Sequence, residues 1–291
     1  MMGRSATSGF TIAELLVAAG ISIVIVALLG TMLASLTKTT SHANASIDTF
    51  RDARAAIHMM ERDLSAIITA KPGAYFAIDT DSAGSQGAAI RQIEALVSVK
   101  PRIPVGSPTP PPGDMCAVRY YCAWDGSART YSLKRFFRDS KSTAQVFQSL
   151  FTTSGYADVS NLYCANITNC ATAATADEAL AAYVWSLRVT AYNSSGIIIN
   201  STTDSAGYQT TAAQYICDPS GSTNPLPAAI EISFKAMSPT AGRTVVAATA
   251  NKANAYTVWL AGDTPGSPDL PLYQRLIEPN TYVFKTRIDL H

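Results

Sequence analysis

The chain has 291 residues, of which 47% are hydrophobic and 15% are charged. This composition excludes a disordered tail, which would have fewer apolar residues, and a collagen-like polymer, which would have far more glycine. The 22 Lys and Arg residues nearly balance the 21 Asp and Glu residues, so the charge provides no electrostatic footprint for nucleic acid or anionic lipid. Charged residues make up about a quarter of an average soluble domain, so the low fraction here indicates a long apolar segment.

That segment is an uncharged apolar run from Leu15 to Leu36. As a helix at about 1.5 Å per residue it would be roughly 33 Å long, which matches one membrane crossing. Residues 41–43 resemble a signal-peptidase site, but a secretory signal peptide has a shorter apolar core of about 7 to 15 residues. The run therefore predicts a membrane helix that is retained in the protein.

The residues in front of the run are Gly9-Phe10-Thr11-Ile12-Ala13-Glu14, preceded by a short polar segment that contains Arg4. A charged side chain at the centre of a membrane helix costs about 2.5 to 3.5 kcal/mol. Glu14, at the head of the run, is therefore expected to have a function; the alternative is an interfacial carboxylate that reaches water and has no role. The segment resembles the class III signal of type IV prepilins and type II secretion pseudopilins. In that signal, G, F and T-x-x-E precede about twenty apolar residues, the length of one membrane span.

The resemblance implies that a prepilin peptidase cuts after Gly9 and methylates the new amino terminus at Phe10. Residues 1–9 would then be a leader, and residues 10–36 a transmembrane helix that also packs among other subunits. Phe10 and Glu14 are four residues apart on one helix face, so the new ammonium group and the carboxylate can pair within one chain or between neighbouring chains. In the resembling family this pair forms between subunits and sets their register during assembly.

The same resemblance implies partners and a location. The expected partners are the prepilin peptidase and methyltransferase, other pilin or pseudopilin subunits, the inner-membrane assembly platform and the membrane. The protein would cross a bacterial inner membrane once, with its head extracytoplasmic, and would then enter a pilus or pseudopilus. No nucleic acid partner is expected, because the charge is balanced.

Helix signals continue beyond the apolar run to about Ala70. Apolar residues at spacings of three and four form a stripe that comprises Phe50, Ala53, Ile57, Met60, Leu64 and Ile67. Lys71-Pro72-Gly73 would end the helix. We therefore expect an amphipathic stalk helix over residues 37–71, whose stripe packs against the globular part of the chain.

Three further segments extend the resemblance. Met60-Glu61-Arg62-Asp63-Leu64 is similar to the E-R-D-L segment of J-type minor pseudopilins and related minor pilins. Residues 184–192 and 226–234 also look like that family, and residues 283–288 do so loosely. The pattern alone predicts strands at 184–192 and 226–234, because apolar and polar residues alternate along them.

Residues 116–137 predict a β-hairpin, because Asp125-Gly126 supplies the positive φ values of a two-residue turn. The pairs that such a turn predicts are Tyr120 with Tyr131 and Val118 with Leu133. The residues expected on one face are Cys116, Val118, Tyr120, Cys122 and Trp124. One long helix followed by strands and turns indicates an α+β fold, with an antiparallel, pilin-like β-sheet head over residues 72–291.

The five cysteines are Cys116, Cys122, Cys164, Cys170 and Cys217. All follow the membrane helix, where an extracytoplasmic compartment permits disulfides. Cys116 and Cys122 would lie about 20 Å apart on one continuous strand, too far for a disulfide. Cys164 and Cys170 enclose a loop with two Asn, which allows a local Cys164–Cys170 disulfide. The alternative for all five is a buried thiol that packs as a small apolar residue.

The head has no His between Pro72 and Leu290, which removes Ser-His-Asp sites, Cys-His sites and His-ligated metals unless the terminal His291 folds back. No Gly-rich nucleotide-binding motif occurs either. Residue types alone leave carboxylate-pair hydrolysis and a Ser-Lys dyad open, but no spacing supports either. We therefore expect no enzymatic activity, no cofactor and, apart from calcium, no metal. The segment that starts at Asp79 begins like an EF-hand loop, but it has Ala83 at the fifth position and Ile90 at the twelfth, where calcium ligands are needed. Calcium stabilises some pseudopilins, so calcium stays open with no residues assigned.

Together these expectations predict a minor pilin or pseudopilin subunit of a type II secretion pseudopilus or type IV pilus. The large head favours a position at the tip or a role in initiation, since the copies of a major subunit must pack laterally in numbers. Adhesion and DNA uptake stay open beside protein secretion. The alternative from another class is an uncleaved membrane-anchored periplasmic domain that binds a ligand and forms no filament.

Overall fold

The computed structural model of the chain describes residues 11–69, 76–81, 90–98, 114–125, 130–140, 143, 177–199, 202–203, 209–210, 215–217, 225–248 and 270–290. Internal contacts divide the chain into two units, residues 1–45 and 46–291. Four residues of the predicted sites, Gly9, Phe10, Cys164 and Cys170, lie outside the described residues.

A single helix, α1 (Ile12–Leu64), occupies 53 residues. Its first part belongs to the first unit and its last turns belong to the second. It is long and apolar enough to cross a membrane. No proline interrupts it, and Gly20 and Gly30 lie inside it, as membrane helices allow.

The second unit consists mainly of strands. In chain order they are β1 (Phe76–Asp81), β2 (Ile90–Ser98), β3 (Met115–Asp125), β4 (Thr130–Arg138), β5 (Glu178–Ala182), β6 (Val184–Tyr192), β7 (Thr202–Thr203), β8 (Gln209–Thr210), β9 (Tyr215–Cys217), β10 (Ala229–Met237) and β11 (Thr281–Asp289). Helices α2 (Pro239–Ala248) and α3 (Leu270–Leu276) and a 3₁₀ turn (Glu278–Asn280) lie between β10 and β11.

The described strands form two main antiparallel sheets. Sheet A has the order β5-β4-β3-β2-β1-β9 and sheet B the order β11-β10-β6, while β7 and β8 form a separate pair. One long helix followed by antiparallel sheets confirms the α+β class. The strand predicted at 184–192 is confirmed as β6, and the strand predicted at 226–234 exists as β10, which begins at Ala229 and ends at Met237. In β10 the apolar side chains of Ile230, Ile232 and Phe234 are buried, as their alternation predicted.

The core of the head lies between the two sheets and the last turns of α1. Ala53, Met60 and Leu64 of the predicted stripe are fully buried, and they share one apolar cluster with inner residues of both sheets. The prediction that this stripe packs against the globular part is therefore confirmed. Burial of a full Leu or Met side chain contributes about 1.5 to 3 kcal/mol, so the stripe is a main source of cohesion.

The helix ends at Leu64, earlier than the position near Ala70 that the sequence predicted. The helix ends early because the main chain after Leu64 forms hydrogen bonds with β2 instead of continuing the helix. Ile68 N–H donates to the Leu96 carbonyl at 3.0 Å, and Ser98 N–H donates to the Ala66 carbonyl at 2.8 Å. Ile67 thus forms a β-bridge with Val97 of β2, so the segment after Leu64 pairs with sheet A.

The hairpin of β3 and β4 exists, but its predicted register was wrong. The observed pairs are Val118 with Phe137, Tyr120 with Arg135, Trp124 with Tyr131 and Asp125 with Thr130. Asp125 therefore belongs to β3 and not to a two-residue turn. The difference is an even number of residues, so each side chain keeps its predicted face. Cys116, Val118, Tyr120 and Cys122 do share the inner face.

A single residue carries the chain from sheet A to sheet B. Tyr183, between β5 and β6, has a φ of 57°, in the left-handed region that bulky residues rarely adopt. Its carbonyl accepts a hydrogen bond from Met237 N–H of β10 at 3.1 Å. Its ring lies against Gly242 of α2, where only a residue without Cβ fits.

Candidate functional site

The first turn of α1 carries a reciprocal cap between Thr11 and Glu14. The backbone N–H and the hydroxyl of Thr11 both donate to Glu14 Oε2 at 2.9 Å. Glu14 N–H donates back to Thr11 Oγ1 at 3.3 Å. This arrangement is a capping box, in which two residues at a helix start satisfy each other's N–H groups. It fixes the start of α1 at Ile12 and holds the carboxylate at the first turn.

The structure thus places one predicted assembly residue, Glu14, in a defined setting. A carboxylate in a first turn also interacts favourably with the positive end of the helix dipole. The predicted partner of Glu14, Phe10, is outside the described residues, so the pairing of these two stays a prediction. The sequence interpretation missed Thr11, although the spacing T-x-x-E is itself the signature of a capping box.

After the cap, α1 exposes apolar side chains on every side within the first unit. The large apolar residues that are exposed include Leu15, Leu16, Val17, Ile21, Ile23, Val24, Ile25, Val26, Leu28, Leu29, Met32, Leu33 and Leu36. A helix that is apolar all round belongs in lipid or among other apolar helices. This surface is the part of the described chain that most needs a partner.

Three hydroxyl side chains in this part of α1 find their hydrogen-bond acceptors within the helix itself. The hydroxyls of Ser22, Thr31 and Thr37 donate to main-chain carbonyls of the preceding turn at 2.8 to 2.9 Å. In the hydrocarbon layer of a membrane every polar group needs such an internal partner. These three hydroxyls are therefore compatible with a membrane setting.

A second polar group, the Asp63 cluster, lies where α1 ends and comprises Asp63, Arg62, Tyr120 and Arg135. Asp63 is fully buried, and its Oδ2 accepts hydrogen bonds from the Tyr120 hydroxyl at 2.7 Å and Arg135 Nε at 2.8 Å. Its Oδ1 accepts from Arg62 Nη2 at 2.8 Å and Nε at 3.0 Å. The side chain of Arg135 is only 10% exposed, so this is a buried and well-satisfied ion pair.

The electrostatics of the cluster keep its donors in place. Burial, reinforced by the negative charge of Asp63, raises the pKa of Tyr120 far above its ordinary value. The hydroxyl therefore stays protonated and donates to the carboxylate. Because both oxygens of Asp63 are taken by donors, the cluster acts as an anchor between helix and sheet rather than as a reactive site.

The described cysteines behave as buried residues. Cys116 and Cys122 lie along β3, where strand geometry keeps them apart, as the sequence predicted. Burial raises the pKa of the Cys122 thiol to about 12. The predicted Cys164–Cys170 disulfide lies outside the described residues. Within the described part of the chain, no group of three or more His, Cys, Asp or Glu residues could hold a metal ion.

No family model matches the chain, and no curated protein matches it. A functional assignment therefore depends on the chain's own residues and contacts. Three features require an explanation. These are the capped N-terminus of α1, its exposed apolar surface, and its anchored end in an antiparallel head.

Proposed function

We propose that the protein is a minor pilin or pseudopilin subunit, cleaved after Gly9 and methylated at Phe10. It assembles through its N-terminal helix into a type II secretion pseudopilus or type IV pilus, at the tip or during initiation. It is stored in a bacterial inner membrane with the head on the extracytoplasmic side. The observation that carries the proposal is the contrast within α1, whose first part is exposed and apolar while its last turns are buried in the head.

An apolar helical surface supports both stages of such a life cycle. In the membrane this surface faces lipid tails, and in a filament it faces the helices of other subunits. Both environments are equally apolar. The run from Leu15 to Leu36 has no charge, and the hydroxyls of Ser22 and Thr31 within it donate to main-chain carbonyls of the helix. The same surface therefore suits lipid and a helical bundle without any rearrangement.

Glu14 supports the assembly step specifically. Once surrounded by apolar helices its carboxylate needs a cation, because an unpaired charge in such a setting is costly. Cleavage after Gly9 would supply one as the new ammonium group of Phe10. Both Thr11 donors bind Oε2 of Glu14, and Oε1 is the atom we assign to the ammonium group of a neighbouring subunit.

The intact mass of the protein from its native host tests the processing step. We expect a mature chain that starts at methylated Phe10. A chain that still begins at Met1, or one that begins near Asn44, would overturn the proposal. A chain that still begins at Met1 would favour the alternative, an uncleaved membrane-anchored ligand-binding domain.

Two substitutions at Glu14 test the assembly step and separate the cap from the charge. Glu14→Gln keeps an oxygen that Thr11 can bind but removes the charge, whereas Glu14→Leu removes both. Both variants should be cleaved and inserted normally, and both should be lost from the sheared filament fraction. Normal incorporation of Glu14→Gln would show that the charge pair is not required.

A further inference from the structure

The last turn of α1 carries two carboxylates that reach different sheets. Glu61 Oε1 accepts a hydrogen bond from the Thr286 hydroxyl of β11 in sheet B. Asp63, two residues later, binds Tyr120 of β3 and Arg135 of β4 in sheet A. We call these five residues the polar joint. One helical turn is thereby bonded to both layers of the head.

The apolar contacts of α1 do not specify its position by themselves. Its buried face includes the small residues Ala53 and Ala56, and apolar attraction has no preferred direction. A shift of the helix along the sheets could preserve much of this burial. It would, however, separate Asp63 from Arg135 and leave a buried charge without its partner, which is strongly unfavourable.

The two sheets differ in how else they are held. Sheet A is also bonded through the main chain, because Ile68 N–H donates to Leu96 of β2. On sheet B, the ring of Phe50 contacts Tyr282 and Phe284 of β11 at centroid distances of 4.5 and 5.5 Å. Ring contacts allow some sliding, whereas a hydrogen bond to a carboxylate has a defined direction. The position of α1 against β11 therefore depends strongly on Glu61 and Thr286.

We propose that Glu61 and Asp63 are positioning residues, which hold the last turns of α1 in one register against both sheets. This part of the helix and the head then move as one body. The proposal is independent of filament formation, because every contact lies within residues 46–291. If the chain does assemble, the polar joint is the place where a displacement of the helix reaches the head.

Distances between spin labels in the full-length chain in detergent micelles test the proposal. Labels are introduced as unnatural amino acids, because the chain has native cysteines. One label replaces the exposed Arg54 of α1 and the second replaces either the exposed Val283 of β11 or the exposed Ala179 of β5. The two pairs report the position of α1 against sheet B and sheet A, respectively.

Each arm of the joint has its own variant. Thr286→Val removes the donor to Glu61 with little change of shape, and should widen only the distance distribution between positions 54 and 283. Asp63→Asn keeps the shape of the side chain but removes its charge, and should widen the distribution between 54 and 179. Tyr120→Phe removes one donor to Asp63, should act in the same direction, and serves where Asp63→Asn does not fold.

The matched control is Asp48→Asn, which removes an exposed ion pair with Arg51 on the same helix and should change neither distribution. Unchanged distributions in folded Thr286→Val and Tyr120→Phe variants would overturn the proposal. Equal widening of both distributions in every variant would overturn it as well, because that result means a general loosening of the head. Neither outcome bears on cleavage at Gly9, which the mass measurement decides.

Discussion

Tyr183 shows how much a single residue determines in this head. Its left-handed backbone conformation lets β5 end in one sheet and β6 begin in the other without a loop. Such a conformation costs about 1 to 3 kcal/mol in a non-glycine residue and persists only where its surroundings hold it. Met237 holds the carbonyl of Tyr183, and the missing side chain of Gly242 leaves room for its ring.

We predict that Gly242→Ala destabilises the head. An added Cβ would lie 2.9 Å from Cγ of Tyr183 and closer still to Cδ1 and Cε1. Overpacking of this kind costs about 1 to 3 kcal/mol, which should appear as a lower free energy of unfolding in urea. The matched control is the same substitution in a Tyr183→Ala background, where the ring is absent. If the ring simply moved aside, Gly242→Ala would instead stabilise α2 by up to about 1 kcal/mol.

Local spacing predicted some polar contacts at the residue scale and not others. Thr11 and Glu14 are three residues apart, so their cap was visible in the sequence in principle. Asp63 accepts hydrogen bonds from Tyr120 and Arg135, which lie 57 and 72 residues further along the sequence. No periodicity joins residues so far apart, and the E-R-D-L resemblance marked Asp63 without indicating its partners.

At the scale of elements, the periodicity of apolar residues predicted which face of a helix or strand is buried. The stripe of α1 and the alternation in β6 and β10 were visible because one side of each element faces the core. The residue at which α1 ends and the register of β3 with β4 were not visible in the sequence. Both depend on distant partners: β2 captures the main chain after Leu64, and Arg135 lies opposite Tyr120 where both reach Asp63.

The contact between α1 and β11 should depend on pH. The hydrogen bond from Thr286 lowers the pKa of Glu61 below its usual value of 4.5, against the opposing effect of burial. Because the pKa of Glu61 is lower in the folded state, this contact contributes its full stabilisation at pH values above the usual pKa of 4.5. The stabilisation is lost as the pH falls through the pKa of the folded state. Thr286→Val should therefore lower the free energy of unfolding more near pH 6 than near pH 3.

Thr244→Val is the control for this comparison. The Thr244 hydroxyl bonds the main-chain carbonyl of Thr240 in α2 at 2.9 Å, and this acceptor does not titrate. Its effect on the free energy of unfolding should be the same at both pH values. A pH-independent effect of Thr286→Val would show that Glu61 does not depend on Thr286 for its lowered pKa.

At the scale of the whole molecule, the apolar part of α1 should keep the protein in membranes. We predict that the full-length chain stays in the membrane pellet after alkaline carbonate extraction. Leu28→Arg, in the middle of the run, should release a large fraction, because a charge there costs about 2.5 to 3.5 kcal/mol. Ile47→Arg is the matched control, since Ile47 is also an exposed apolar residue of α1 but lies beyond the run. Equal release of both variants would contradict the predicted span.

The class of the whole molecule was predictable, whereas its internal division was not. One apolar run, one amphipathic stripe and several alternating strands sufficed for an α+β architecture. Nothing in the pattern around Tyr183 indicated that the strands form two sheets, which share one apolar cluster with the last turns of α1. That division depends on a backbone conformation which residue type alone does not favour.

The burial of Cys122 has a consequence for the redox chemistry of the head. Disulfide exchange requires a thiolate, and a thiol with a pKa of about 12 supplies almost none at neutral pH. Burial of Cys122 in the folded head therefore disfavours its oxidation. In an oxidising compartment the order of events decides the outcome: a head that folds first keeps this thiol reduced. A chain that is oxidised first would carry a crosslink on the face of β3 that must enter the core.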